Sequence, residues 1–253
     1  MGGSAGGGTP VPTPVRSLAV TRLLLASASP ARRATLAAAG IDVIVAVSGV
    51  DEEAVLADAA VRFGALDPAD AVLVLAHAKA QWVVEHRPAV DAGDAPADGD
   101  QDGEVSDVVV LGCDSMLELD GEIWGKPADA AEATARWQLM RGRSGVLHTG
   151  HWLVDDRDAV AGGTGGTLGA TSSTTVHFAD LTDAEIDAYV ATGEPLAVAG
   201  AFTVDGLGGA FITGIEGDYH GVVGVSLPLL RELLGELGVT MPDLWRPTAT
   251  PAR

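Results

Sequence analysis

The chain has 253 residues, 47% hydrophobic and 20% charged, which is ordinary globular composition with room for one large domain or two small ones. Its net charge of −20 opposes nonspecific binding to nucleic acid or to an anionic membrane surface, and leaves a small anionic ligand open where basic groups gather in one cleft. The single cysteine, Cys113, excludes an internal disulfide and fits a reducing, cytoplasmic compartment.

Residues 1–17, rich in Gly and Pro and without an apolar targeting core, read as a disordered extension. The apolar runs are too short and interrupted to span a bilayer. Residues 18–26 read as a buried strand, followed by a helix in "SPARRATLAAAG" with Ser29 as N-cap, Pro30 in the first turn and Gly40 at its end. "IDVIVAVSG" predicts a second strand, and "DEEAVLADAAVRFG" and "PADAVLVLAHAKAQWVVEHR" have helical spacing. The acidic stretch at about 88–107 reads as a mobile insertion.

"VVVLGCDSMLELDGEIWGKP" reads as strand, turn, strand, with the apolar run ending at Asp114 and "DG" marking a hairpin. A helix over "ADAAEATARWQLMRGR" precedes an antiparallel pair, "LHTGHWLVDD" and "SSTTVHFADL", joined by a flexible Gly-rich loop at about 159–171. Thr182 and Glu185 form a capping box on the next helix. "AFTVDGLGGAFITGIEGD" is Gly-rich strand and turn, "SLPLLRELLGELG" is the last amphipathic helix, and 241–253 reads as a loose tail. Alternating strands and helices with hairpins predict an α/β fold with a mixed sheet, spanning 18–240.

Arg32 and Arg33 lie in the first turn of a helix, where positive charge is least favoured. An anion seated there changes the balance, because amides, the Ser27 or Ser29 hydroxyl and a guanidinium can converge on one phosphate. A plain N-cap with solvent-facing arginines is the competing reading. Of 15 basic residues only Lys79 and Lys126 are lysines, and both flank acidic motifs. Those motifs are Asp51-Glu52-Glu53 and the "GCDS" segment, where Asp114 is placed at a strand's carboxyl end. Carboxylates beside phosphates point to a hard divalent cation. No CxxC, HExxH or GxxxxGK[ST] pattern occurs, and "GLGG" is too weak a glycine pattern for a dinucleotide site. Cys113 reads as a small buried strand residue.

Taken in order, these motifs resemble the Maf family, the septum-formation-inhibitor-like nucleoside triphosphate pyrophosphatases. The resemblance runs from about Leu23 to Gly238 and rests on "LASASPAR", Asp51-Glu52, Lys79, "GCDS", Gly125-Lys126-Pro127, "GRSGVLHTG", "YVATGEP", "AGAFTVDG" and "GDYHGVVGVSLPLL". The chain departs from the family pattern at Ala31, Gly145, Val198 and Asp205, where the family often has Arg, His, Lys and Gln, and at Ser115, where Thr is commoner.

The resemblance implies the family's elongated mixed β-sheet flanked by helices, with a cleft between two lobes. It also implies hydrolysis of a nucleoside triphosphate to a monophosphate and pyrophosphate, clearing modified nucleotides and linked to cell-division arrest, and a homodimer, the common family assembly. On that basis Ser27, Ser29, Arg32 and the helix N-terminus bind phosphate, and Lys79 and Lys126 neutralise developing charge. Glu52 and Asp114 hold magnesium, manganese or cobalt. Asp114 also orients or deprotonates the attacking water, while Ser115 and Asp205 contact the substrate, Asp205 reading the base edge or supporting the metal. Two other classes stay open: a nucleotide-binding regulator of septum formation that does not hydrolyse its ligand, and a nucleotidyltransferase that needs an acceptor.

Overall fold

The computed structural model describes residues 21–87 and 107–245. The expected extension at 1–17, most of the acidic insertion and the end of the tail lie outside the described residues.

Strand β1 (Arg22–Ala26) leads into helix α1 (Pro30–Ala38). Ser29 caps that helix by accepting the Arg32 amide, and Gly40, at φ 79°, follows its end. Next come β2 (Val43–Val45), α2 (Glu52–Phe63) and α3 (Pro68–His86). The long strand β3 (Val108–Leu119) turns at Asp120-Gly121 into β4 (Glu122–Trp124). Helix α4 (Ala130–Met140) is followed by β5 (Ser144–Asp156), β6 (Thr167–Phe178) and α5 (Asp183–Ala191). Strand β7 (Ile212–Glu216), the short α6 (Tyr219–Val223) and α7 (Leu227–Glu236) complete the regular elements.

The seven strands form one mixed sheet in the order β2-β1-β3-β5-β6-β7, with β4 added to β3. β1 runs parallel to β2 and β3, whereas β3, β5, β6 and β7 pair antiparallel. The long strands β3, β5 and β6 pass through two lobes. In the first, α1 and α7 bury Leu36, Leu230 and Leu234 against Leu25, Leu111 and Cys113 on one face, while α3 covers Leu24, Val108 and Val110 on the other. In the second, Trp137, Met140, Ile186 and Tyr189 pack on Leu117, Leu147 and Val176.

Two expectations are corrected. The Gly-rich connection is shorter than 159–171, because β6 begins at Thr167 and takes its ladder bonds from β5. Residues 241–245 are ordered: Met241–Leu244 forms a capped turn, Leu244 is buried, and Ile41 bridges Trp245. Residues 219–223, between the Gly-rich stretch and the last amphipathic helix, form α6, whose N-cap Asp218 accepts the His220 and Gly221 amides.

Candidate active site

Strand β3 builds the site because one of its edges is interrupted. One edge pairs with β5 from Val108 to Glu118. The other pairs with β1 only at Val108–Gly112 and with β4 only at Leu117–Leu119. Between those partners, from Cys113 to Met116, a cleft of about 830 Å³ opens. Asp114 is therefore not at the end of its own strand, as the sequence suggested. It is the seventh residue of twelve, and it is β1 that stops. Side chains alternate along a strand, so Asp114 faces α3 while Cys113 and Ser115 face α1.

On the α3 side, Lys79 is buried and holds both acidic motifs. Its Nζ lies 2.7 Å from Glu52 Oε1 and also bonds Asp114 Oδ1. Glu52 reaches this point because Asp51 caps α2 by accepting the Ala54 amide, which fixes the helix start beside α3. Burial raises the Asp114 pKa above the usual carboxylate value, and the Lys79 and Arg32 charges offset that only in part.

On the other side, Arg32 answers the question that its helix position raised. Its guanidinium leaves the helix dipole and crosses to four acceptors. Nε donates to Gly224 O at 2.9 Å, Nη1 to Ser27 Oγ and Cys113 O at 2.9 Å each, and Nη2 to Ser115 Oγ at 2.9 Å. The Cys113 carbonyl is one of the groups that the interrupted edge left without a strand partner. A guanidinium has five N–H donors, so one on Nη2 has no partner among the described residues. Arg32 is thus mainly a brace, and the sequence reading of it as a phosphate ligand narrows to that single N–H.

Counting donors and acceptors assigns the two hydroxyls. Ser27 Oγ accepts from Arg32 Nη1 and, at 3.2 Å, from the Ser29 amide, so both lone pairs are engaged and its proton is left to donate to an anion. Thr149 Oγ1 donates to Gly221 O at 2.8 Å, so in its 2.9 Å contact with Ser115 it is Ser115 that donates. Ser115 has one lone pair left and can accept from a ligand but not donate to it. Arg33 is exposed.

Lys126 is exposed on the turn after β4 and makes no ion pair among the described residues. Gly125 O, beside it, accepts Arg136 Nη1 at 2.6 Å and the Gly200 amide at 3.0 Å, and the Ala128 amide donates to Glu132 Oε2 at 2.7 Å. The second lobe continues the cleft lining with Val198, Phe202, Thr203, Val204 and Asp205. Ser27, Ser29, Arg32, Glu52, Lys79 and Asp114 line the same cleft from the first lobe, joined by Ser115, Lys126 and Asp205. The structure thus gathers all the sequence-predicted site residues in one place. Their chemistry is that of a polyanion site, with free donors at Ser27, Arg32 and Lys126 beside the buried Asp114 carboxylate and the exposed Glu52.

Sequence reasoning missed Glu194, which also lines the cleft; its only signal was its place in "TGEP". It also missed Thr149 and Gly224, partners of Ser115 and Arg32, because backbone carbonyls and cross-strand hydroxyls leave no mark in spacing. Cys113 is inert: burial pushes its thiol up to about 12.

The profile of the Maf-like protein family matches residues 22–237. A relative from Salinispora tropica named nucleoside triphosphate pyrophosphatase is 54% identical over 231 residues, covering 90% of each chain. Relatives with the same name from Streptomyces avermitilis and Streptomyces coelicolor are 50% and 51% identical over 226 residues, covering 89% of this chain and 95% of theirs. A family match over both lobes, together with relatives that align along nearly the whole length, shows that the chain belongs to the Maf-like protein family.

Proposed function

We propose that the protein hydrolyses nucleoside triphosphates at the α–β phosphoanhydride, releasing a nucleoside monophosphate and pyrophosphate. The observation that carries this reading is the convergence of Glu52, Lys79 and Asp114 on one side of a cleft whose other side presents Ser27, Arg32 and the capped start of α1. The names of the relatives support it.

Ser27 O–H, the remaining Arg32 N–H and Lys126 bind phosphate oxygens and counter the charge that develops on the departing pyrophosphate. Asp114 orients the attacking water and takes its proton as the water oxygen bonds to phosphorus and the bridging P–O bond breaks. A carboxyl raised by burial holds a proton better than an ordinary one, which suits a base. Lys79 keeps Asp114 and Glu52 together in the absence of other cations.

The two carboxylates also fit a divalent cation, since both reach one point, now the Lys79 ammonium, and both are hard oxygen donors. No group of three or more His, Cys, Asp or Glu suited to a metal occurs among the described residues, so substrate oxygens would complete the shell. Magnesium, manganese or cobalt held by Glu52 and Asp114 would supply charge neutralisation on the triphosphate.

Pyrophosphate release across a nucleotide panel, with each metal and with EDTA, tests the reading. Release only after an acceptor is added marks a transferase, and binding without release marks a regulator. Among the described residues no helix is long and apolar enough to cross a membrane. A cytoplasmic location suits a nucleotide substrate, and sedimentation tests the homodimer.

A further inference from the structure

Glu194 lines the cleft, yet its carboxylate is turned to the protein. Oε1 accepts from Tyr189 Oη at 3.0 Å, Thr203 Oγ1 at 2.5 Å and the Gly208 amide at 2.9 Å, and Oε2 accepts from the Leu207 amide at 3.0 Å. Each carboxylate oxygen offers about two lone-pair sites, so Oε1 is fully engaged by the protein and Oε2 keeps one site open. These hydrogen bonds outweigh the effect of burial and hold its pKa below the usual carboxylate range.

The four donors are not scattered. Three belong to the segment 203–208, which carries Asp205 and supplies Thr203, Val204 and Asp205 to the cleft wall. The fourth, Tyr189, also accepts the Thr203 amide at 3.2 Å, so Thr203 is tied at both amide and hydroxyl. Tyr189 is itself fixed edge-on against Trp137 and Phe211, at 5.5 and 5.3 Å between ring centroids. One carboxylate therefore links the wall of the cleft to the aromatic core of the second lobe. The phosphate-facing groups Ser27 and Arg32 and the carboxylate of Asp114 belong to other elements and share no hydrogen bond with this network among the described residues.

We infer that Glu194 is a positioning residue that holds the 203–208 wall in shape against the nucleoside, so that this wall discriminates between bases. The inference rests on the pyrophosphohydrolase reading for its kinetic test. A rigid wall rejects a misfitting base, whereas a loose one accommodates it. A brace remote from the phosphates affects substrate binding more than the chemical step.

The test compares wild type with Glu194→Gln, whose amide removes acceptors and introduces a donor facing the Leu207 or Gly208 amide. kcat and KM are measured for ATP, GTP, CTP, UTP and dTTP. For the best substrate, kcat should stay within about threefold while KM rises about tenfold, and the ratio of kcat/KM between best and worst bases should fall about tenfold. An unchanged ratio, with every nucleotide losing the same factor, overturns the inference and leaves Glu194 a purely structural residue. If the Gln variant does not fold, Tyr189→Phe keeps the ring packing, removes the bond to Glu194 and the acceptor for Thr203, and is read by the same ratio. If wild type releases pyrophosphate from none of the five, the functional reading fails separately. The ratios of their dissociation constants by calorimetry, in wild type and variant, then decide the inference, again by whether they collapse or persist.

Discussion

Gly112 on β3 lies directly beneath Ala76 on α3: a Cβ at position 112 would sit 2.1 Å from the Ala76 carbonyl oxygen. Gly150, on neighbouring β5, makes the same allowance, with a Cβ there 2.4 Å from Val72 O. The helix thus settles into a groove two glycines wide, and this depth lets Lys79 meet Asp114. Gly112→Ala should lift α3, cost about 1–3 kcal/mol by overpacking, and lower pyrophosphate release far more than the population of folded protein falls. Chemical denaturation and an activity assay on the same sample check this. Wild-type stability with wild-type turnover would show that the groove is not needed.

His151 is a second buried group whose state the backbone dictates. Its Nε2 accepts the Ser226 amide at 2.8 Å, and a backbone amide can only donate, so the ring proton sits on Nδ1 and bonds Thr149 O at 3.0 Å. Burial first, and then the Arg32 charge, lower its pKa to about 4. The unfolded chain protonates near 6.5. Between those values the unfolded state binds a proton that the folded state refuses, so stability falls as pH drops from about 6.5 to about 4, by roughly 3 kcal/mol for this group. In His151→Gln that part of the pH dependence should vanish, as read from urea midpoints at pH 7 and pH 5. An undiminished slope would refute the assignment.

Asp155 works in the opposite direction. Burial alone would raise its pKa, but Arg157 and Thr164 hydrogen bonds outweigh it and bring the value down to about 2. Its contribution is present above the unfolded value near 4 and is lost as pH falls toward 2. Asp155→Asn leaves the largely buried Arg157 without its charge partner and should cost about 3 kcal/mol at neutral pH, with little effect on kcat. A Tm series resolves this, and an unchanged Tm would contradict it.

Lys126 offers the cleanest separation of function from stability. It is exposed, and the turn that carries it is held by Arg136 and Glu132 rather than by its own side chain. Lys126→Ala should leave the denaturation midpoint within about 0.5 kcal/mol of wild type and reduce kcat/KM by about 10²-fold. Equal activity would remove Lys126 from the chemistry.

Much of this arrangement was legible from local chemistry. Ser29 and Thr182 mark their helix starts because capping is a short-range event, and Asp120-Gly121 marks its hairpin for the same reason. Asp114 was placed at a strand end because a carboxylate interrupts an apolar run. It stays inside β3 because Lys79, 35 residues earlier, supplies the compensating charge. Arg32 was read through the helix dipole, whereas its real partners include Gly224 O, 192 residues away. Strand β6 extends back into a Gly-rich run because β5 offers it a ladder, which composition does not reveal. The pattern is physical: caps and turns are written locally, while a buried charge takes its meaning from whatever the fold brings to it.

The central claim is that Asp114, held by Lys79 beside Glu52, serves the hydrolysis of a nucleoside triphosphate. The most direct measurement is pyrophosphate release by wild type and Asp114→Asn with magnesium, manganese or cobalt, and with EDTA. The account predicts metal-dependent release by wild type and a loss of about 10²–10⁴-fold in kcat for a variant that remains folded by circular dichroism. Undiminished kcat in the folded variant would contradict it.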